Sequence, residues 1–406
     1  MAPKKVLLCA TMDTKATQAF FLKEEIEGYG HEVKIIDVGM RRESPPGVAY
    51  TQREVAGQYF RNLQASSTRT DASNYIRIGL VQIVRRLYRE GQLDAFLSVG
   101  GSGGAALACA AMHELPIGVP KIMVTPVAAG NVLPYTMGED ILMLNTVVDV
   151  QNLNFMSSYA LRQAAGILDS MLRVGPPKHT GNKAIAMTSF GVTTPCVDRC
   201  VELLEAQGYE VIAFTSRGIC GGKIMEKMIL EDNFCAVMDI TTSELTDEVG
   251  GGIYNSGPQR LRGAVKKGLP YVVVPGALEM INLGPEDTLQ PHQLKRTLYH
   301  HSPGSVKMRA TAEEMGALGE LFVERLSAPG GDVCVCVPLR GFSDVNRPGK
   351  VFYDPAADQV FIKAIKYKMP GNVQTRFFDL HINDREFADQ LVKQILRMIE
   401  NKQYQL

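Results

Sequence analysis

The segment DAFLSVGGSGGAALACAAMHELPIGVPKIMVTP, residues 94–126, decides the fold. An apolar run ends at Val99, glycine fills four of the five positions 100–104, an alanine-rich stretch follows, and a second apolar run closes at Pro126. Runs that are apolar throughout, rather than alternating, belong to strands covered on both faces, and the stretch between them has helical length. The segment therefore reads as strand, glycine turn, helix and parallel strand.

The same pattern extends in both directions. KVLLCAT (5–11) leads into a helix near 16–29 and then EVKIIDVG (32–39), and a helix near 74–90 precedes the strand at 94–100. RVGPPKHTGNK (173–183) is rich in proline and glycine and reads as a linker. After it the pattern restarts with AIAMTSFG (184–191), a helix from Pro195 to Gln207, YEVIAFTSRG, a helix near 222–231, FCAVMDITTSE, a helix near 257–267 and PYVVVPGALEM. The expected fold class is α/β, with two Rossmann-like, doubly wound parallel-sheet domains at 1–178 and 179–406. Residues 277–349 show weak periodicity and many polar groups, and are expected to be a loop-rich region lining a cleft between the domains. A closing strand near RFFDLHIND and a last helix at 384–401 complete the second domain.

Composition narrows the function. Of the 406 residues 45% are hydrophobic and 21% charged, with 43 Lys+Arg against 43 Asp+Glu, so no global field draws the chain to nucleic acid or an anionic membrane. Aromatic content of 7% without tryptophan gives no stacking stripe for nucleic acid. The apolar run after Lys4-Lys5 stops at Asp13, too short for a signal peptide, and no run approaches the roughly 20 residues of a membrane span. Eight scattered cysteines without a C-x-x-C pair read as buried reduced thiols, which fits a cytoplasmic protein. No zinc spacing and no G-x-S-x-G elbow is present, and no metal site is expected.

In doubly wound sheets ligands bind beyond the carboxyl ends of the strands, so the strand-end loops carry the candidates. Gly100, Gly101, Ser102, Gly103 and Gly104 lack the Walker and dinucleotide signatures, yet glycines let backbone N–H groups approach an anion at a helix N-terminus. The alternative is that they only permit a tight turn. In the first loop Thr14 offers a donor, Lys15 a counter-charge, and Asp13 a ligand for Mg2+ or a ribose hydroxyl; an ordinary helix cap is the competing reading. Asp37 stands where dinucleotide folds place a ribose-binding acid, and the 125–135 loop, with Thr125 and Gly130, would close the pocket. Arg41, Arg42 and Glu43 read as a solvated loop or a phosphate contact.

The second domain is rich in strand-end hydroxyls: Thr188, Ser189, Thr193, Thr194, Thr241, Thr242 and Ser243. Its acidic cluster, Asp239, Glu244 and Asp247, is expected to serve solvation and capping ahead of a divalent metal. His300, His301, Arg309, Arg340, Ser343, His381 and Asp384 are candidates to converge on the cleft, where arginines would clamp a carboxylate or phosphate and an imidazole would move a proton.

Taken in order, ATMDTK, IIDVG, SVGGSGG, MDITTSELTDEVGGG, VVVPGALEMINLGP, PLRGFSD and HINDREFA resemble, over essentially the whole chain, the family of the ATP-binding inhibitory domain of the tomato mosaic virus resistance protein and its bacterial and fungal relatives. The resemblance implies two Rossmann-like domains, a homodimer, and ATP, with Mg2+ as its natural companion, bound through the glycine-rich loops. In the plant protein a further TIM-barrel-like domain follows, so a separately encoded TIM-barrel-like partner is expected here. The chain departs from the family at His301-Ser302-Pro303, where relatives carry Asn in the second position. Three functional readings follow: an ATP-binding protein with phosphates on Gly100–Gly104, Thr14 and Lys15; an enzyme for a small carboxylate or phosphorylated substrate using His301, Arg309 and Arg340; and a protein-interaction module.

Overall fold

The computed structural model describes residues 2–66, 68–177 and 183–403, and the chain divides into two compact units, residues 1–178 and 179–406. Residues 178–182 of the expected linker lie outside the described residues.

The first unit is a five-stranded parallel sheet: β1 (Lys5–Ala10), β2 (Glu32–Asp37), β3 (Ala95–Val99), β4 (Lys121–Val124) and β5 (Leu142–Leu144), in the order β2-β1-β3-β4-β5. Alternate residues of each strand enter opposite cores. Leu7, Cys9, Phe96 and Met123 pack beneath the helices Arg69–Arg89 and Ser102–Met112, while Val6, Leu8, Leu97 and Ile122 pack beneath Met12–Glu27 and Phe155–Val174. Burial on both faces explains why these strands read as unbroken apolar runs. This order reverses between β1 and β3, so the chain leaves their carboxyl ends toward opposite faces and opens a crevice there.

The second unit uses the same scheme with one more strand. β6 (Ala184–Ser189), β7 (Glu210–Thr215), β8 (Ala236–Thr241) and β9 (Pro270–Gly276) are followed by the hairpin strands β10 (Met280–Leu283), β11 (Leu298–Ser302) and β12 (Ser305–Arg309). β13 (Asp332–Pro338) and β14 (Gln374–Phe378) complete the parallel sheet, ordered β14-β13-β9-β8-β6-β7.

Residues 277–349 are more ordered than their sequence suggests. They hold the antiparallel sheet β10-β12-β11, the helix Ala312–Leu326 and β13. The periodicity was hidden because the polar face of this small sheet is itself buried: Asn282, Lys307 and Arg309 have almost no solvent exposure. The opposite face, with Ile281, Leu283, Val306 and Met308, forms a conventional apolar cluster.

Close helix approach in the first unit depends on Gly79. A Cβ there would collide with the Val55 carbonyl of the short helix Gln52–Ala56. Gly79→Ala should therefore lower stability by about 1–3 kcal/mol, the usual cost of overpacking, read as an earlier urea midpoint at unchanged slope. An unchanged midpoint would show that the two helices are free to move apart.

Candidate functional site

The crevice between β1 and β3 is built on Asp37, the last residue of β2. Its carboxylate is fully buried and accepts from the Met12 N–H at 3.0 Å, the Gly39 N–H at 2.7 Å and the Ser44 hydroxyl at 2.6 Å. Burial pushes the Asp37 carboxyl up, and these donors pull it down. Both oxygens are thus committed to holding the loops after β1 and β2, not to an external hydroxyl. Asp13 repeats the device at the surface: its Oδ2 accepts from the Met40 and Arg41 N–H groups, each at 3.2 Å. Gln52 adds a third tie, donating to the Gly39 carbonyl at 2.8 Å.

Opposite these loops the helix Ser102–Met112 begins with Gly101 as its cap, and no side chain caps it. The Ala105 N–H returns to the Gly101 carbonyl, whereas the N–H groups of Ser102, Gly103 and Gly104 have no acceptor among the described residues. These open donors, at the positive end of an eleven-residue helix, suit an anion. Gly101 faces open space, since nothing lies within 4 Å of a Cβ placed there. At Gly103 a Cβ would instead stand 2.8 Å from an Arg69 guanidinium nitrogen.

Arg69 is the residue sequence reasoning missed. It opens the helix Arg69–Arg89, whose Thr68 cap accepts from the Asp71 N–H at 3.1 Å, and it forms no ion pair among the described residues. Nothing in its local sequence marks it; only the packing of two helices brings its charge to the glycines.

The other expected ligand residues are placed less simply. Thr14 is exposed, 3.1 Å from the Thr11 hydroxyl. Lys15 donates to the Val150 carbonyl at 2.7 Å, so its ammonium is held away from the glycines. Thr125 is buried and its hydroxyl accepts from the Val127 N–H at 3.2 Å, while Gly130 lies exposed at the end of the following turn. Arg41, Arg42 and Glu43 are exposed.

The corresponding place in the second unit is closed. Ser243 to Asp247, the start of the helix after β8, have 0% exposure. The acidic cluster is therefore not a solvated one, contrary to the sequence expectation. Arg260, also at 0%, is its hub: it donates to Asp239 through Nη2 at 2.6 Å and to Glu244 through Nε at 2.6 Å. Asp239 also accepts from the Tyr271 hydroxyl at 2.9 Å and the Thr188 hydroxyl at 2.7 Å. The strand-end hydroxyls are likewise spent inside the fold, Thr193 on Thr241 at 2.7 Å and Thr242 on the Val274 carbonyl at 3.1 Å. Glu244 accepts from the Gly218 and Gly222 N–H groups at 2.7 and 3.0 Å, so an internal carboxylate occupies the start of the helix Gly222–Leu230.

His301, Arg309 and Arg340 are not gathered into one constellation. Arg309 is buried and donates to Asp358 at 2.6 Å and to the Phe352 and Ala310 carbonyls. Arg340 is exposed and bidentate on Asp379 at 2.8 and 2.7 Å. His301 is exposed near the turn of the β11–β12 hairpin, whereas Arg309 ends β12 at its far end, opposite Thr297. The His381 ring is held between the Ser343 carbonyl, 2.9 Å from Nε2, and the Asn383 N–H, which donates to Nδ1 at 3.1 Å, while its backbone N–H donates to Asp384 at 2.8 Å.

A different set of tuned groups lies on the polar face of the small sheet. Burial pushes Glu279 up to about 7, with Arg309 opposing, and pushes Asp247 up to about 7, with the Asn282 N–H opposing. Lys307 is pushed down to about 8 by burial; it donates to Asn282 at 2.6 Å and sits 4.3 Å from the centre of the Phe190 ring. Glu279 Oε2 and the Ser243 hydroxyl have no hydrogen-bond partner among the described residues.

The fold and crevice define a two-unit parallel α/β protein in which the helix terminus at Gly101 is open. The chain belongs to the Uncharacterised protein family (UPF0261), matching its N-terminal domain over residues 4–176 and its C-terminal domain over residues 182–399. A UPF0261 protein of Clostridium tetani is 38% identical over 402 residues, covering 98% of this chain and 99% of that protein. The ToMV resistance protein Tm-1(GCR237) of Solanum lycopersicum is 34% identical over 317 residues, covering 76% of this chain and 42% of the tomato protein. Kinship with the virus-resistance protein is thereby established. A UDP-GlcNAc 2-epimerase from Neisseria meningitidis bound to UDP-GlcNAc aligns at 12% identity over 66% of this chain and 82% of its own, with a TM-score of 0.21, too low to carry an argument. Among the described residues no helix is long and apolar enough to cross a membrane.

The Glu279 shift has a definite sign. The folded protein keeps the proton up to about pH 7, whereas the unfolded chain releases it near 4.5, so this group's contribution to stability falls as pH rises through that window. Glu279→Gln should flatten the fall and stabilise the protein at pH 8 by on the order of 3 kcal/mol, measured by denaturant titration across pH. An unchanged slope would show that Glu279 ionises normally.

Proposed function

We propose that this protein binds a nucleotide, ATP, through the first unit, with its phosphates on the N–H groups of Ser102, Gly103 and Gly104 and with Arg69 as their counter-charge. One observation carries the reading: the helix terminus at Gly101 is open and beside the Arg69 guanidinium, which has no ion pair among the described residues, whereas its counterpart in the second unit is buried. Backbone donors, a helix dipole and an arginine fork are the combination that holds phosphate oxygens. The cradle itself reads only the anion; ATP is the ligand that the resemblance to the resistance-protein family names.

Asp13 Oδ1 takes no hydrogen bond among the described residues and is the group for Mg2+, and Thr14 is the exposed hydroxyl nearby. Asp37 acts by positioning both loops. Lys15 would reach a phosphate only after leaving the Val150 carbonyl. Homodimerisation, also implied by the resemblance, is supported by the exposed Val147 and Phe155 of the first unit. A separately encoded TIM-barrel-like partner and a cytoplasmic location complete the reading.

The enzyme reading retains one observation, the near-neutral trio Glu279, Asp247 and Lys307 in the second unit. Such groups can hold or move a proton at physiological pH. A calorimetric screen of small oxo- and hydroxy-acids against the wild type and Lys307→Met tests it; no binding, or binding indifferent to the substitution, ends it.

For the nucleotide, Gly101→Val is the sharpest variant, because a Cβ at this position meets nothing within 4 Å. It should weaken Mg-ATP binding at least a hundredfold in calorimetry at an unchanged melting temperature, and Arg69→Ala should weaken it about tenfold, the worth of one charge-assisted contact. Wild-type affinity in both folded variants would remove the proposal.

A further inference from the structure

The second unit contains a cavity of about 530 Å3 that belongs to neither site above. It lies at the amino-terminal edge of the parallel sheet, where β13 and β14 begin at Asp332 and Gln374, against the last turns of the helix Arg385–Gln403. Its volume is within the roughly 300–1,000 Å3 of small-molecule sites.

Its lining carries Arg376, Arg397 and Lys402 against a single carboxylate, Asp332. Lys402 donates to the Gly268 carbonyl at 2.7 Å, which fixes its stem across the cavity wall. Arg376 and Arg397 form no ion pair among the described residues, although acidic side chains are as numerous as basic ones in the whole chain. Arg376 helps, after the Cys336 thiol, to hold the Cys334 thiol below its usual value. Asp332 is half-buried; burial pushes its carboxyl up and Lys402 opposes the shift.

Gln394, 4% exposed, lines the same space beside the arginines. Its NH2 can donate to an oxygen held by the two arginines.

We propose that this cavity is a second, independent binding site for a small anion with two or more oxyanion groups, held by Arg376 and Arg397 and oriented by Gln394. Two guanidinium forks on one cavity favour a ligand that offers separate carboxylate or phosphate groups, because each fork binds two oxygens in one plane. The cavity uses the amino ends of strands in the second unit, whereas the nucleotide reading uses the carboxyl ends of strands in the first.

Citrate and inorganic pyrophosphate, titrated calorimetrically at low salt into the full chain, test the proposal and separate carboxylate from phosphate ligands. In the Gly101→Val background, where the first unit's cradle is blocked, binding of either probe is expected, weakened at least tenfold by adding Arg376→Ala or Arg397→Ala. Both arginines are exposed, so a melting temperature equal to the wild type in the absence of probe verifies that the variants fold. Binding of citrate alone assigns a polycarboxylate, and of pyrophosphate alone a phosphorylated ligand. No heat with either probe in that background, or affinities indifferent to both arginine substitutions, overturns the proposal.

Discussion

One buried carboxylate sets the geometry of the crevice. Asp37 ends β2 and takes hydrogen bonds from Met12, Gly39 and Ser44, so the loops after two neighbouring strands are fastened to a single side chain. A buried carboxylate is tolerable only when its oxygens are satisfied, and here each oxygen is. The consequence reaches across the crevice: with one wall tied by Asp37, Asp13 and Gln52, the helix at Gly101 is the side left with free donors. Glycine at its cap is essential to that outcome, since Ser, Thr or Asp there would fold back and satisfy the same N–H groups internally.

The two units share a strand order and spend one of their strand ends in opposite ways. In the second, Arg260 gathers Asp239 and Glu244 in full burial, and Glu244 fills the amides of Gly218 and Gly222. Removing one member of such a cluster would strand an uncompensated charge, so it acts as a fixed structural element. The first unit fills the matching amides after β2 in the same way, with Asp37 and Asp13. Polar richness at a strand end is thus no guide to binding; what separates the units is the helix after the third strand, buried at Ser243–Asp247 and open at Gly101.

Much of the architecture was legible because the strands are buried on both faces. Val6–Ala10 and Val272–Val274 are apolar without alternation, and helices of amphipathic length separate them. The crevice glycines were legible for the same reason, since a glycine cluster between strand and helix has few physical uses. What stayed hidden depended on contacts distant in sequence. Arg69 meets Gly103 only through helix packing. Lys307 and Arg309 resemble solvent-facing residues of a loop, yet a buried network of Asn282, Asp358 and backbone carbonyls holds them. Asp37 was legible as a strand-end acid, but its sequence gives no sign that three internal donors would consume it.

Hydrogen–deuterium exchange with and without Mg-ATP tests the central claim most directly. The account predicts protection concentrated in peptides covering residues 11–16 and 99–106, with the strand ends of the second unit unchanged. Protection confined to the second unit, or no protection at saturating nucleotide, would contradict it.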